Sequence, residues 1–202
     1  MTTILLDTNA YLRLAKRIRP QLRVKFNPQK QYQLLVLPEV EREVLLSQRL
    51  KWHYPWFMED DHRNERRSWP VKLSASDKVQ IEKDIAFMRQ MVGRNAEAYI
   101  QGGRSPPGPA DLHVLAVALL KGWCVATDDE GMHLLAKDLK ITAFYCFDVL
   151  HKMLSAGMVD KAQVIDIYGA LEANGDLTVR WKVAKTKLFK KVFPSAKKVA
   201  AK

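Results

Sequence analysis

The chain opens on Ile4-Leu5-Leu6-Asp7-Thr8-Asn9, an apolar run that ends at a carboxylate, a hydroxyl and an amide. The apolar run predicts a short buried strand that should end just before Asp7. In an open parallel sheet, ligands bind beyond the carboxyl ends of the strands, so Asp7 is a candidate site residue. Capping of the helix that begins near Ala10 explains Asp7 equally well. The other carboxylates of the chain have to decide between these interpretations.

Three further apolar runs predict the rest of the sheet, at 33–37, 123–126 and 141–147. Segments with helical periodicity separate or follow these runs, and a proline opens two of the helices. Strands that alternate with helices are typical of an α/β fold, in which helices cover both faces of a mainly parallel sheet.

Acidic side chains recur where these strands end and where the helices begin. Asp111 lies in the first turn of an apolar helix, and Asp128 and Asp129 follow the strand at 123–126. Glu43 lies beside the buried face of the helix after the second strand. Capping explains each acid singly, but the carboxyl ends of parallel strands share one edge. We therefore expect these acids to lie near Asp7.

A cluster of carboxylates has a chemical consequence. The charges repel and raise one another's pKa unless a cation neutralises them. Mg²⁺ and Mn²⁺ are the hard ions that take oxygen ligands, and such ions promote the hydrolysis of phosphodiesters. The five histidines show no zinc spacing, and no serine or cysteine nucleophile motif is present. The acids therefore predict metal-dependent phosphodiester chemistry.

The order of these motifs resembles the PIN-domain ribonucleases, whose best-known bacterial members are the VapC-type toxins of toxin–antitoxin pairs. The resemblance rests on Leu-Leu-Asp7-Thr8-Asn9, on Pro38-Glu-Val-Glu-Arg-Glu43-Val, on Ala110-Asp111 at the start of an apolar helix, and on Val-Ala-Thr127-Asp128-Asp129. It implies a PIN-like three-layer α/β/α sandwich with a central, mainly parallel sheet. It also implies an endoribonuclease in which four acids hold one or two Mg²⁺ or Mn²⁺ ions and cut RNA.

The resemblance assigns roles by position. The four functional acids are Asp7, Glu43, Asp111 and Asp129, of which Asp7, Asp111 and Asp129 bind the metal; Asn9 and Thr127 are supporting polar residues. Asp128 stands beside Asp129 and is held in reserve as the fourth acid. The resemblance further implies an antitoxin protein as a partner, and a homodimer unless the insertion blocks that interface.

Two segments make the chain longer than a compact toxin of this family. The predicted nuclease domain spans 1–155 and carries a helical insertion at about 51–109, while 156–202 forms a helical and basic extension. The insertion begins with aromatic residues beside a charged patch. This composition predicts either an insertion with its own packing or a partner-binding surface, on which unpaired bases could stack.

The basic residues are concentrated in two segments. Arg180 to Lys202 holds nine Lys or Arg and no acid, whereas the first 179 residues hold 24 basic against 22 acidic side chains. A second basic run lies at 13–30. Such segments predict a polyanionic partner, most simply RNA, although the final ten residues read best as a solvated tail. The candidate RNA-binding residues are Arg13, Lys16, Arg17, Arg104, Lys187, Lys190 and Lys191.

Composition also bears on the cellular location. Cys124 and Cys146 lie in apolar runs, which predicts reduced thiols in a cytoplasmic protein. No apolar segment approaches the ~20 residues of a membrane span, and the first apolar run ends in an acid, unlike a signal peptide. Two other functions stay open. One is a haloacid-dehalogenase-type phosphatase, which needs an aspartate where Asn9 stands, and the other is a non-catalytic PIN-like binding module.

Overall fold

A computed structural model describes residues 1–27, 31–68, 70–100 and 105–194. Its centre is a parallel sheet in the order β2-β1-β3-β4. The strands are β1 (Thr2–Leu6), β2 (Tyr32–Val36), β3 (Cys124–Ala126) and β4 (Ala143–Phe144). Leu6 is in register with Val36 and with Ala126, so three strands end level at one edge. The predicted α/β class with a parallel sheet is confirmed.

The helices of the described residues complete the fold. In chain order they are α1 (Thr8–Leu14), α2 (Pro38–Leu46), α3 (Gln48–His53), α4 (Asp60–Arg67), α5 (Ala75–Arg94), α6 (Ala96–Tyr99), α7 (Pro109–Lys121), α8 (Glu130–Asp138), α9 (Cys146–Ser155), α10 (Lys161–Ala173) and α11 (Val179–Lys187). A 3-10 turn, Pro55–Met58, lies between α3 and α4.

Alternate side chains of β1 enter two separate cores, as the two-residue period of a strand requires. Ile4 and Leu6 join a core that side chains of α1, α9, α10 and α11 complete, whereas Leu5 joins a core made with α5, α7 and α8. Helices therefore cover both faces of the sheet, which is consistent with a three-layer α/β/α arrangement.

The insertion does not form a core of its own. Trp56 and Phe57 are buried in the first core. Helix α5 packs on α7 through Ile81, Ile85 and Met88, which belong to the second core. The segment 51–100 is thus divided between the two faces of the sheet, and its two ends stabilise different layers.

The extension after residue 155 is also integral to the fold. Trp181 and Phe189 are fully buried in the first core, and Val192 belongs to the same cluster. The boundary predicted at residue 155 therefore does not separate two packing units within the described residues. On α11, Arg180, Lys182 and Lys187 are exposed, whereas Trp181 and Ala184 are buried.

The prediction of a strand over 141–147 is wrong in extent. Residues 143–144 alone are in β4, and α9 begins at Cys146. Asp148 is the cause, because its Oδ2 accepts from the Tyr145 amide at 3.2 Å and so caps the helix start.

Cys146 is buried and Cys124 is partly buried, and the structure records no disulfide between them. Among the helices that the structure describes, none combines the length and apolarity needed to cross a bilayer.

Candidate functional site

Asp7 stands at the carboxyl end of β1, where the sequence placed it. Its Oδ1 accepts from the Ala10 amide at 2.6 Å, so it caps α1. A side-chain hydrogen bond also joins it to Thr127, the first residue after β3. Only 2% of Asp7 is exposed. Asp7 is therefore a helix cap and, equally, a buried carboxylate at the functional edge of the sheet.

Glu43 and Asp111 approach this edge from two helices. The Thr8 hydroxyl donates to Glu43 Oε2 at 2.5 Å, which ties α2 to the start of α1. Asp111 Oδ2 accepts from the Gly108 amide at 2.8 Å in the first turn of α7. Both acids line a cleft of about 420 Å³ between α2 and α7. The cleft thus has a carboxylate on each wall.

The charges of these acids shift one another's pKa. Burial raises the pKa of Asp7 to about 7, hydrogen bonds from Thr127 and Ala10 oppose that rise, and Asp111 and Asp128 add to it. Burial likewise raises the pKa of Asp111 to about 6, and the charges of Glu43 and Asp129 raise it further. The edge therefore favours a proton or a cation beside its carboxylates.

The two consecutive aspartates after β3 have different environments. Asp129 is partly exposed and its Oδ1 accepts from the Met132 amide at 2.9 Å, which caps α8. Asp128 is buried and accepts three hydrogen bonds. The donors are Arg13 Nη1 at 2.6 Å, Trp181 Nε1 at 2.7 Å and the Cys146 amide at 2.9 Å. Asp128 is thus a structural anchor, whereas Asp129 is the more accessible of the two acids.

The two predicted supporting residues differ in position. Thr127 is buried, and its hydroxyl accepts from the Asp129 amide at 3.0 Å and lies 3.4 Å from Met132 Sδ. Its side chain also lowers the pKa of Asp7, so Thr127 influences two of the acids. Asn9 is exposed instead and lines a neighbouring pocket with Arg49 and Tyr54. The partner expected for Asp7 at position 9 is therefore supplied by Thr127.

The donor set matches a hard divalent cation in chemistry, because it consists of carboxylates at one edge whose charges are mutually unfavourable. The arrangement does not converge on an ion as it stands. Within residues 1–27, 31–68, 70–100 and 105–194, no three His, Cys, Asp or Glu side chains lie close enough to hold a metal. Asp7, Asp111 and Asp129 each direct one oxygen to a backbone amide of a helix start. Metal binding would draw on the oxygens that these caps leave available.

The structure changes the set of predicted cations that are open to solvent. The prediction that Arg13 binds RNA is corrected, because its side chain is only 8% exposed and its guanidinium forms an ion pair with Asp128. Arg17 pairs with Asp166 at 2.7 Å. Lys16, Lys187, Lys190 and Lys191 are exposed on the surface. Arg104 lies outside the described residues.

Two cleft residues were missed in the sequence. Arg42 and His113 line the cleft beside Glu43 and Asp111, and His113 Nε2 lies 3.5 Å from Glu39 Oε1. Their positions in the sequence could have indicated them, because Arg42 directly precedes the candidate acid Glu43 and His113 follows the candidate acid Asp111 by two residues.

No protein-family model, curated protein or solved structure matches this chain.

Proposed function

We propose that this chain is a metal-dependent endoribonuclease whose active site is the cleft between α2 and α7, at the carboxyl edge of the sheet. One observation carries the proposal. Glu43 and Asp111 line the same cleft from opposite helices, and Asp7 and Asp129 follow the two central strands that end beside it. The carboxyl edge of a parallel sheet is where α/β proteins bind their ligands.

Each acid has a part in the proposed reaction. Asp7, Asp111 and Asp129 would hold Mg²⁺ or Mn²⁺, and Glu43 would complete that set or orient the attacking water. When bound, the ion supplies positive charge to the carboxylates and to the phosphodiester. Thr8 fixes the Glu43 carboxylate, and Thr127 fixes Asp7 relative to β3. The chain thus presents acids whose positions are set by neighbouring hydroxyls.

The polyanionic substrate is supported by surface charge. The net charge is +11, and Lys16, Lys187 and Lys190 are among the lysines exposed on the surface. Basic surfaces of this kind attract nucleic acid through its phosphates. That the substrate is single-stranded or structured RNA (tRNA, rRNA or mRNA), and that the chain is a bacterial toxin restrained by an antitoxin, follows from the resemblance to PIN-domain ribonucleases.

The test is incubation of the purified chain with tRNA and rRNA, in Mg²⁺, in Mn²⁺ or in chelator. We expect cleavage with either metal and none in chelator. Asp111→Asn should reduce cleavage to the chelator level. The matched control is Asp166→Asn on α10, whose side chain is 65% exposed and far in sequence from every site acid. Equal cleavage by the parent and by Asp111→Asn would remove the catalytic assignment.

One observation favours a second candidate, a non-catalytic RNA-binding or protein-interaction module. It is the absence, among the described residues, of three acids already converged on a metal position. Such a module would bind RNA without taking up Mn²⁺ and without cutting the strand. Titration of Mn²⁺ into the RNA-free chain separates the two candidates.

A further inference from the structure

Trp52 is an unusual surface residue. It lies on α3 and is 79% exposed, although its indole is one of the largest apolar side chains of the chain. The indole and the His53 ring are roughly perpendicular, with their centroids 5.0 Å apart and their planes at 83°. Exposing an indole forgoes the free energy of burying it. A ring held in this way presents a flat face on which another ring can stack.

Arg49 shares this helix surface with Trp52 and His53. Residues three and four apart on a helix are neighbours, so Arg49 lies beside both rings. No ion pair among the described residues involves Arg49, nor Lys16 across the adjoining groove. Two exposed cations without an acidic partner therefore flank an exposed aromatic pair.

Two adjoining pockets connect these cations. One of about 190 Å³ is lined by Arg49 and Asn9, and another of about 220 Å³ is lined by Lys16 and Arg17. Both include His53, Arg13, Tyr54 and Asp176, so they form one continuous polar groove. Asp176 offsets part of the positive charge, while Arg13 is neutralised by Asp128. Arg49 and Lys16 are therefore the cations of this groove that are available to bind an anion.

The groove leads towards the candidate active site. Asn9, in its wall, is two residues from Asp7 and directly follows Thr8, the donor to Glu43. Helix α3 also continues the chain from α2, which carries Glu43. A polymer that lies along the groove would thus reach the acidic edge of the sheet at one end.

We propose that Trp52, Arg49 and Lys16 form a binding surface for single-stranded RNA, in which an unpaired base stacks on Trp52 and the backbone phosphates meet Arg49 and Lys16. Aromatic rings beside cations bind single strands in this way, because every base has a face that stacks. The bases of a duplex are already stacked, so their faces are not available to the indole. The fate of the bound strand rests on the proposed ribonuclease function, whereas the binding itself does not.

The test measures binding without cleavage. The full chain is titrated, in chelator, into fluorescein-labelled single-stranded RNA of about 12 nucleotides, within the usual site sizes for single strands. Trp52→Ala should weaken binding about 5- to 160-fold, the range for loss of one stacked base. Trp52→Phe should restore most of the affinity. The matched aromatic control is Phe87→Ala, because Phe87 is 55% exposed on α5 and should not contribute.

Salt dependence tests the cations. Arg49→Gln should weaken binding to all single strands and reduce the slope of log K against log salt by about 0.7, the value for one phosphate contact on a single strand. Lys83→Gln, an exposed lysine on α5, is the control for a lost positive charge. An equal change of slope in both variants would show general charge attraction and would overturn the role of Arg49.

The outcomes separate this inference from the proposed function. The binding surface is overturned if Trp52→Ala binds RNA as tightly as the parent, or if the parent binds a duplex of the same length equally well. It is also overturned if Trp52 binds a protein partner and its replacement has no effect on RNA binding. Trp52-dependent RNA binding with no cleavage in Mn²⁺ removes the ribonuclease and leaves the binding surface standing.

Discussion

Asp7 shows at a single residue how stability and function oppose each other. It caps α1 through the Ala10 amide and bonds with Thr127, both of which favour its charged form. Burial opposes that form more strongly and raises its pKa to about 7. A buried acid with a raised pKa at a strand end is a common signature of a functional position, since packing alone would select a neutral residue there.

The raised pKa predicts how Asp7→Asn changes stability with pH. In the unfolded chain the carboxyl titrates near 3.8 and in the folded chain near 7. The folded state therefore binds the proton more tightly, so the stabilisation is present below pH 3.8 and is lost as the pH rises towards 7. Asparagine caps helices as well as aspartate does. We expect Asp7→Asn to unfold with a free energy higher by about 4 kcal/mol than the parent at pH 8, and similar to it at pH 4.

Urea denaturation in chelator at pH 4, 6 and 8 measures this difference. Asp166→Asn is the control and should show no comparable dependence, because its carboxylate is exposed. A parent chain that gains stability between pH 4 and pH 8 relative to Asp7→Asn would contradict the assigned direction.

Single residues were predictable from sequence where their neighbours in the chain define their setting. Asp7, Asp111 and Asp129 each follow a strand or begin a helix, and such local patterns survive folding. The ion pair of Arg13 was not predictable, because its partner Asp128 is 115 residues away and the nearest charged residues in the chain, Lys16 and Arg17, are basic. From sequence, a basic run is predicted to be exposed to solvent, and only the fold shows that a buried acid pairs with one of its members.

At the scale of elements, Asp128 joins three helices to the end of β3. It accepts from Arg13 on α1, from the first amide of α9 and from Trp181 on α11. Trp181 also packs edge-on against Phe147 and Tyr168, at 5.6 and 5.2 Å between ring centroids. This junction explains why a basic C-terminal helix lies on the main core.

We expect Asp128→Ala and Asp129→Ala to differ strongly in stability. Loss of Asp128 leaves the buried Arg13 charge uncompensated, which should cost about 3–5 kcal/mol of the free energy of unfolding. Loss of Asp129 removes a helix cap and should cost about 1 kcal/mol. Thermal and urea denaturation of the two variants measures both values. Equal costs would show that Asp128 is not an anchor and would reopen the choice of the fourth acid.

Elements were predictable where a pattern and its caps agree. In α5, the buried Ile81, Ile85 and Met88 recur at helical spacing, and Ser74 forms a capping box with Asp77 at the helix start. The run at 141–147 was misassigned because a short apolar run fits a strand and a buried helix equally. Contacts between residues distant in sequence decide on which face of the sheet an insertion packs. The packing of α5 against α7 could therefore not be predicted from a single sequence.

The whole molecule combines two opposite electrostatic features. Its net charge of +11 draws a polyanion to the surface, whereas the acids at the sheet edge raise one another's pKa. Long-range attraction and local repulsion act over different distances, because salt screens charges beyond about 10 Å. A phosphodiester brought to the cleft would therefore meet carboxylates, which repel it unless a cation lies between them. That conflict is the physical reason to expect metal dependence.

Metal linkage tests this expectation without any RNA. A ligand that binds the folded chain raises its stability by about 2.7 kcal/mol at a hundred times its dissociation constant. We expect Mn²⁺ at pH 8 to raise the Tm of the parent, and to raise that of Asp166→Asn equally. Asp111→Asn should respond little, because a neutral amide replaces one charged ligand.

The Tm shift should shrink at pH 5, where protons occupy Asp7 and Asp111, whose pKa values are about 7 and about 6. Differential scanning fluorimetry across a Mn²⁺ titration measures all three chains, each against its own metal-free baseline. An unchanged Tm in the parent at millimolar Mn²⁺ would favour the non-catalytic module, because the repulsion at the sheet edge would then be relieved by protons alone.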